Sequence, residues 1–221
     1  MTGEVAVSDT EVRRESESRL VFITGGVRSG KSALAERMAA SFGDNVLYIA
    51  TARPLDSEMA GRIENHRRRR PPTWRVVEAP LDLAPALRRA VEAGGVPAAV
   101  LVDCLTVFTS NVLLGDMWLG LDDREMDVRA HDELERRGDS CVAKVGEFIS
   151  EVRSRGVRAI VVGNEVGLGV VPEYPAARVY RDVAGRVNQL VAAAADEVWV
   201  AWSGIPVRIK PGPLVSGWPP V

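Results

Sequence analysis

Residues 25–32 read GGVRSGKS, a Walker A pattern in which Gly25, Gly30, Lys31 and Ser32 fill the positions that chemistry demands. Glycines let backbone N–H groups curl round a phosphate chain, and a helix that starts there adds a favourable dipole. Lys31 would offset charge on the outer phosphates, and the Ser32 hydroxyl would ligate Mg²⁺. Gly26, Val27, Arg28 and Ser29 complete the loop. A nucleotide site of this kind also needs an acid at the end of a neighbouring strand to hold the metal or its water. Asp103, closing the apolar run AAVLV, is the candidate, with a helix cap as its ordinary alternative.

A second stretch, RIENHRRRRPP at residues 62–72, places His66, one of only two histidines, directly before Arg67, Arg68, Arg69 and Arg70. Taken alone, this could be a solvated imidazole at a helix end beside a solvated charged face. The alternative is chemical. Neighbouring guanidinium groups depress an imidazole pKa, which keeps the ring neutral and nucleophilic, and they can clamp the triphosphate it attacks. A neutral histidine nitrogen can displace pyrophosphate from a nucleotide α-phosphate and hold the nucleotidyl group covalently. Pro71 and Pro72 end the helix behind it.

These groups must be carried by regular elements. RLVFITGG reads as a buried strand entering a turn, and KSALAERMAASF as the helix that follows it. The alternation continues with NVLYIAT as a strand, residues 56–68 as a helix, WRVVEA as a strand and LDLAPALRRAVEAG as a helix. AAVLVDC is continuous enough for a parallel strand covered on both faces, and residues 105–114 start the next helix. Residues 115–140 are charged and weakly periodic, and are expected to form a mobile insertion or lid. CVAKVGEFISEVRSRG is helical, VRAIVVGNEVG a strand and loop, AARVYRDVAGRVNQLVAAAA a long helix, and DEVWVAWSGIPVRIK a closing strand or hairpin. The pattern predicts an α/β fold, a mostly parallel sheet with helices on both faces.

The chain has 221 residues, 46% of them hydrophobic, and 28 Lys+Arg against 30 Asp+Glu. That predicts one domain over residues 19–221 and supplies no global basic field for nucleic acid. Residues 1–18 are polar and lack a signal-peptide core, so they read as a disordered tail and the protein as cytoplasmic. Cys104 and Cys141 show no metal or disulfide spacing, which fits a reducing compartment. No apolar run is long enough to span a bilayer.

Four stretches, ITGGVRSGKS, YIATARPLDSEMAGRIENHRRRRPPTWRVVEAP, VDCLT and NEVGLGVVPEYPAARVYRDVAGRVNQLVAAAADEVWV, resemble the bifunctional adenosylcobinamide kinase/adenosylcobinamide-phosphate guanylyltransferase family of cobalamin biosynthesis. The resemblance runs from about residue 20 to 210. It implies a RecA-like P-loop nucleoside triphosphatase fold, often a homotrimer. It also implies two reactions: phosphorylation of the aminopropanol hydroxyl of adenosylcobinamide by ATP or GTP, and transfer of GMP from GTP to the resulting phosphate. By the same resemblance His66 becomes guanylylated and Gly25 to Ser32 bind phosphates. Thr51, Ala52 and Arg53 form a nucleotide-contacting turn, Arg67 to Arg70 contact nucleotide after the histidine, and Glu78 and Asp103 are acidic nucleotide-site positions, with Ser32 and Asp103 on the metal.

The chain departs from the family pattern at Asn65, where many members carry a second histidine. Its run after His66 is all arginine, and the stretch from Gly94 to Ala98 is slightly longer than usual. A one-function kinase would use the P-loop and Asp103 without a covalent histidine. A nucleotide-dependent module on single-stranded nucleic acid would use the arginine run, but net charge and the 5% aromatic content count against it. His131 is expected to be solvated, and Trp74 and Trp118 are either core residues or a corrinoid surface. Asn164 and Glu165 follow a buried strand and are candidate neighbours of the P-loop.

Overall fold

The computed structural model describes residues 19–54, 57, 61, 63, 64, 67, 68, 70–115 and 128–211. Seven strands form one sheet in the order β3-β2-β4-β5-β1-β6-β7. They are β1 (Leu20–Gly25), β2 (Val46–Ala50), β3 (Arg75–Glu78), β4 (Ala99–Asp103), β5 (Ala159–Val162), β6 (Glu197–Trp202) and β7 (Ile205–Lys210). All neighbours pair in parallel except β6 and β7, which form an antiparallel hairpin at one edge. The helices are α1 (Lys31–Ser41), α2 (Leu83–Gly94), α3 (Leu105–Leu114), α4 (Val128–Ser154) and α5 (Pro175–Ala194).

The central strands are apolar on both sides because helices cover both. Leu20 and Phe22 of β1 join a core with Leu87 of α2, Phe108 of α3, Phe148 of α4 and Val187 of α5. Val21 and Ile23 point the other way, into a smaller core with Leu34, Ala35 and Ala39 of α1, Tyr48 and Trp74. Period-2 alternation along continuous hydrophobic runs is what a doubly covered parallel sheet requires. Trp74 is therefore a core residue, whereas Trp118 lies outside the described residues.

The expected α/β fold with helices on both faces is present. Residues 105–114 form α3, and the closing segment is a hairpin. The expected insertion at residues 115–140 needs correction over its second half: residues 128–140 are the start of the 27-residue α4. The charges that masked its period lie outward, paired along the helix as in Glu133–Arg137 at 2.8 Å, while Leu134, Gly138 and Cys141 are buried. Gly138 lets α4 approach α5 closely, since a Cβ there would sit 2.6 Å from Cγ2 of Val183. Residues 116–127 and the expected tail at 1–18 lie outside the described residues, as do several of residues 56–68. Those that are described there, Ser57, Gly61, Ile63, Glu64, Arg67 and Arg68, are helical as expected.

Candidate active site

Parallel strands deliver their exit loops to one edge of the sheet, the usual location of ligands in open α/β folds. The register makes that edge concrete. Ala50 of β2 lies opposite both Glu78 of β3 and Asp103 of β4, and Asp103 lies opposite Val162 of β5. Glu78, Ala50 and Asp103 thus stand in one row at the strand ends. Asp103 is not on the strand next to the phosphate-loop strand: β5 lies between β4 and β1.

The loop from Gly25 to Gly30 links β1 directly to α1. Gly25 has φ 142°, and a Cβ there would lie 2.3 Å from the Ala201 carbonyl oxygen, so only glycine fits against β6. Gly30 caps α1 with φ 93° and Arg28 takes φ 56°, left-handed backbone of the kind from which a phosphate-binding turn is built. The hairpin turn buttresses it, Gly204 N–H donating to the Ser29 carbonyl at 3.1 Å, and the β5 exit does so from the other side, Glu165 N–H donating to the Gly25 carbonyl at 3.1 Å. Val27 and Arg28 are exposed, whereas Ser29 is buried.

Lys31 is 6% exposed, and its ammonium donates to the Gly26 carbonyl and to Ser29 Oγ. Burial lowers its pKa, opposed by the nearby Asp103 carboxylate. The lysine and the acid are therefore close enough to interact electrostatically, even though their strands are not adjacent. Ser32 is the second residue of α1. Among the described residues no group of three or more His, Cys, Asp or Glu side chains gathers to hold a metal. One serine hydroxyl and one carboxylate beside a phosphate loop fit an Mg²⁺ that binds mainly through nucleotide phosphates and keeps several waters.

The turn after β2 is held rigidly. Thr51 is fully buried, its Oγ1 accepting from Cys104 N–H at 2.9 Å and donating to the Cys104 carbonyl at 2.8 Å. Asn111 on α3 donates to the carbonyls of Thr51 at 2.8 Å and Pro80 at 3.2 Å. Thr51 is thus a latch between the β2 and β4 exits, and Ala52 and Arg53 are the partly accessible members of the turn. Cys104 is held protonated: burial, then the charge of Asp103, pushes its thiol up to about 11.

The described arginines of the run, Arg67, Arg68 and Arg70, face different surroundings. At about 100° per residue, consecutive helical side chains diverge. Arg68 turns back to Glu64 at 3.0 Å, Arg67 is exposed, and Arg70, just past the helix, lies over the Tyr48 ring at 4.0 Å from its centroid. Tyr48 O–H in turn donates to Asp103 Oδ2 at 3.2 Å. His66, Asn65 and Arg69 lie outside the described residues.

Asn164 N–H donates to Thr106 Oγ1 at 2.8 Å, and the Asn164 carbonyl accepts from Asn188 Nδ2 at 2.9 Å, so the β5 exit is fixed beside the phosphate loop. His131 is exposed on α4, and Arg178 braces the loop before α5 through the carbonyls of Pro172 and Glu173. Sequence reasoning missed Tyr48 and Asn111. The signals were a single hydroxyl in the strand VLYIA and a single amide in the apolar helix LTVFTSNVLL.

A family model described as cobinamide kinase/cobinamide phosphate guanyltransferase matches residues 21–209. The chain is 42% identical over 193 residues to the bifunctional adenosylcobalamin biosynthesis protein CobU of Escherichia coli K12, covering 86% of this chain and 99% of that protein. It is 44% identical over 192 residues to the bifunctional adenosylcobalamin biosynthesis protein CobP of Pseudomonas aeruginosa, covering 87% and 98%. A solved KaiC-like protein from Pyrococcus horikoshii OT3 overlaps 83% of this chain and 71% of its own at TM-score 0.42 and 17% identity, too loose to add to the argument. With a phosphate loop, an acid at the same sheet edge and near-complete coverage at this identity, the chain belongs to the cobinamide kinase/cobinamide phosphate guanyltransferase family.

Proposed function

We propose that the protein phosphorylates the aminopropanol hydroxyl of adenosylcobinamide with ATP or GTP and then attaches GMP to that phosphate through a guanylyl group carried on His66. The observation that carries this reading is the convergence of the Gly25 to Ser32 loop, Lys31 and Asp103 at one edge, with Arg70 lying over Tyr48, whose hydroxyl donates to Asp103.

In the first reaction the acceptor hydroxyl oxygen attacks the γ-phosphorus, the bond to the β–γ bridging oxygen breaks, the nucleoside diphosphate leaves, and the hydroxyl proton is released to solvent. Backbone N–H groups of residues 26–31 and the Lys31 ammonium hold the phosphates in line, Lys31 exchanging its contacts with Gly26 and Ser29 for phosphate oxygens. Ser32 and Asp103 would hold Mg²⁺, which neutralises charge developing on the bridging oxygens. In the second reaction a ring nitrogen of His66 attacks the α-phosphorus of GTP and pyrophosphate departs. A phosphate oxygen of adenosylcobinamide phosphate then attacks the same phosphorus and breaks the N–P bond. Arg67, Arg69 and Arg53 would steady the phosphates, with Ala52 and Glu78 lining the turn beside them.

The protein is read as one catalytic domain over residues 19–221 behind a short tail, acting in the cytoplasm. The homotrimer the family resemblance implies is supported by β7, which pairs with β6 on one side and with no strand of the described residues on the other, and on which Ile205, Val207 and Ile209 are all at least half exposed.

The test is incubation with Mg²⁺ and GTP labelled at the α-phosphate. Acid-labile, alkali-stable label on the parent and none on His66→Ala supports the reading. Kinase activity on adenosylcobinamide with no label on GTP-binding parent protein leaves a one-function kinase.

A further inference from the structure

β5 lies between β4, which ends in Asp103, and β1, which runs into the phosphate loop, so the chain leaving β5 emerges between the two. Its first residues are fixed there. Glu165 N–H donates to the Gly25 carbonyl at 3.1 Å, Asn164 N–H to Thr106 Oγ1 at 2.8 Å, and Gly167 N–H to Glu165 Oε1 at 2.8 Å. The far end is fixed as well, since Arg178 of α5 donates to the carbonyls of Pro172 at 3.1 Å and Glu173 at 2.6 Å. Between these braces residues 166–172 read VGLGVVP, without one charged or hydrogen-bonding side chain. Leu168 is 74% exposed, Val170 94% and Val171 61%. We propose that this loop is the acceptor subsite: Leu168, Val170 and Val171 form an apolar rest for the macrocycle of the corrinoid, from which its aminopropanol arm reaches the phosphate loop. The proposal rests on the acceptor named above and gives it a place.

Position and chemistry together choose this occupant. Aliphatic side chains held in water at a loop tip add nothing to the core, and they gain only by covering another surface. That surface must come close to the phosphate loop. Leu168 is three residues beyond Glu165, so its Cα lies within about 11 Å of the residue bonded to Gly25. The acceptor is a broad ring with methyl groups round its edge and a hydroxyl on a flexible arm, which suits an apolar rest set back from the reacting phosphate. A nucleotide base, by contrast, finds no side chain among residues 166–172 that reads it by hydrogen bonds. β7, the surface given above to subunit contact, lies on the other side of β1 in the sheet order, so the two apolar surfaces are separate.

Leu168→Ser/Val170→Ser removes the rest and leaves the braces at Glu165 and Arg178. Both side chains are exposed, so the variant should melt as the parent does and bind GTP equally well. Equilibrium dialysis against cobinamide, with a non-hydrolysable GTP analogue present, reads binding from the visible absorbance of the corrinoid. The dissociation constant should rise about tenfold or more, as expected for losing several methyl groups from a covered apolar contact. The KM for adenosylcobinamide should rise by the same factor with kcat unchanged. Leu168→Met/Val170→Ile keeps the apolar surface and should bind cobinamide within about twofold of the parent. Parental cobinamide affinity in the serine variant overturns the proposal, as does an equal loss in the apolar control. A serine variant that keeps its cobinamide affinity but changes oligomeric state, or stops binding lipid vesicles that the parent binds, assigns the tip to a second copy or to a membrane and overturns it too. If the parent neither binds cobinamide nor phosphorylates adenosylcobinamide, the proposed function itself fails and the subsite falls with it.

Discussion

Replacing Thr51 by valine keeps the shape of a fully buried side chain and removes only its hydroxyl. That hydroxyl bonds both polar groups of the Cys104 backbone, at 2.9 Å from its N–H and 2.8 Å from its carbonyl. Stranding a buried donor or acceptor costs about 1–3 kcal/mol, less for a carbonyl that retains a second lone pair, so Thr51→Val should cost about 2–4 kcal/mol. For a chain of this size that corresponds to a fall in Tm of roughly 5–15 °C. Thr51→Ser is the control, since it keeps the hydroxyl and gives up one buried methyl worth about 1 kcal/mol. Calorimetry or urea titration of the three proteins, with the KM for GTP measured alongside, reads both consequences. The latch joins the β2 turn to the residue after Asp103, so the KM should rise in Thr51→Val more than in Thr51→Ser. Thr51→Val no less stable than Thr51→Ser would refute the argument, showing that Cys104 does not depend on this hydroxyl.

Gly25→Ala places a Cβ 2.3 Å from a backbone oxygen at φ 142°, so it should lose more than about 2 kcal/mol and most GTP binding, checked by melts and by nucleotide titration. Cys141 is buried and its thiol is pushed up from 9.0 to about 11, first by desolvation. An acid raised in the folded state favours folding below its unfolded pKa, so the stability of the parent relative to Cys141→Ala should be constant below pH 9 and decline as pH rises from 9 to about 11, read by urea titrations across that range. Val207→Glu places charge on the half-exposed edge strand β7 and should convert the proposed homotrimer to monomer by light scattering, with the fold retained by circular dichroism.

The order of strands and helices was legible because the buried strands are short apolar runs, some ended by glycine or an acid, as at Leu20–Gly25 and Ala99–Asp103. The phosphate loop was legible because its demands are local: glycines for the turn, then lysine and serine at a helix start. The first half of α4 was not, since Glu133, Arg136 and Arg137 pair with one another on its outer face and blur the apolar period. Nor was the order of strands in the sheet, which puts β5 between Asp103 and the phosphate-loop strand. Tyr48 and Asn111 act on residues 55 and 60 positions away, and such partners are set by strand register and helix packing rather than by any local pattern. Within the arginine run, helical spacing pairs Arg68 with Glu64 four residues earlier, whereas Arg70, just past the helix, lies on Tyr48, a partner that no local pattern reveals.

The central claim is that GMP passes through His66 on its way to the acceptor, and a chase tests it most directly. Enzyme labelled from α-labelled GTP is freed of nucleotide and mixed with adenosylcobinamide phosphate. The account predicts that protein-bound label moves quantitatively to the corrinoid at least as fast as steady-state turnover, and that His66→Ala carries nothing to transfer. Label that stays on the protein while product forms from free GTP would contradict it, and would mean that the acceptor attacks the nucleotide without the histidine.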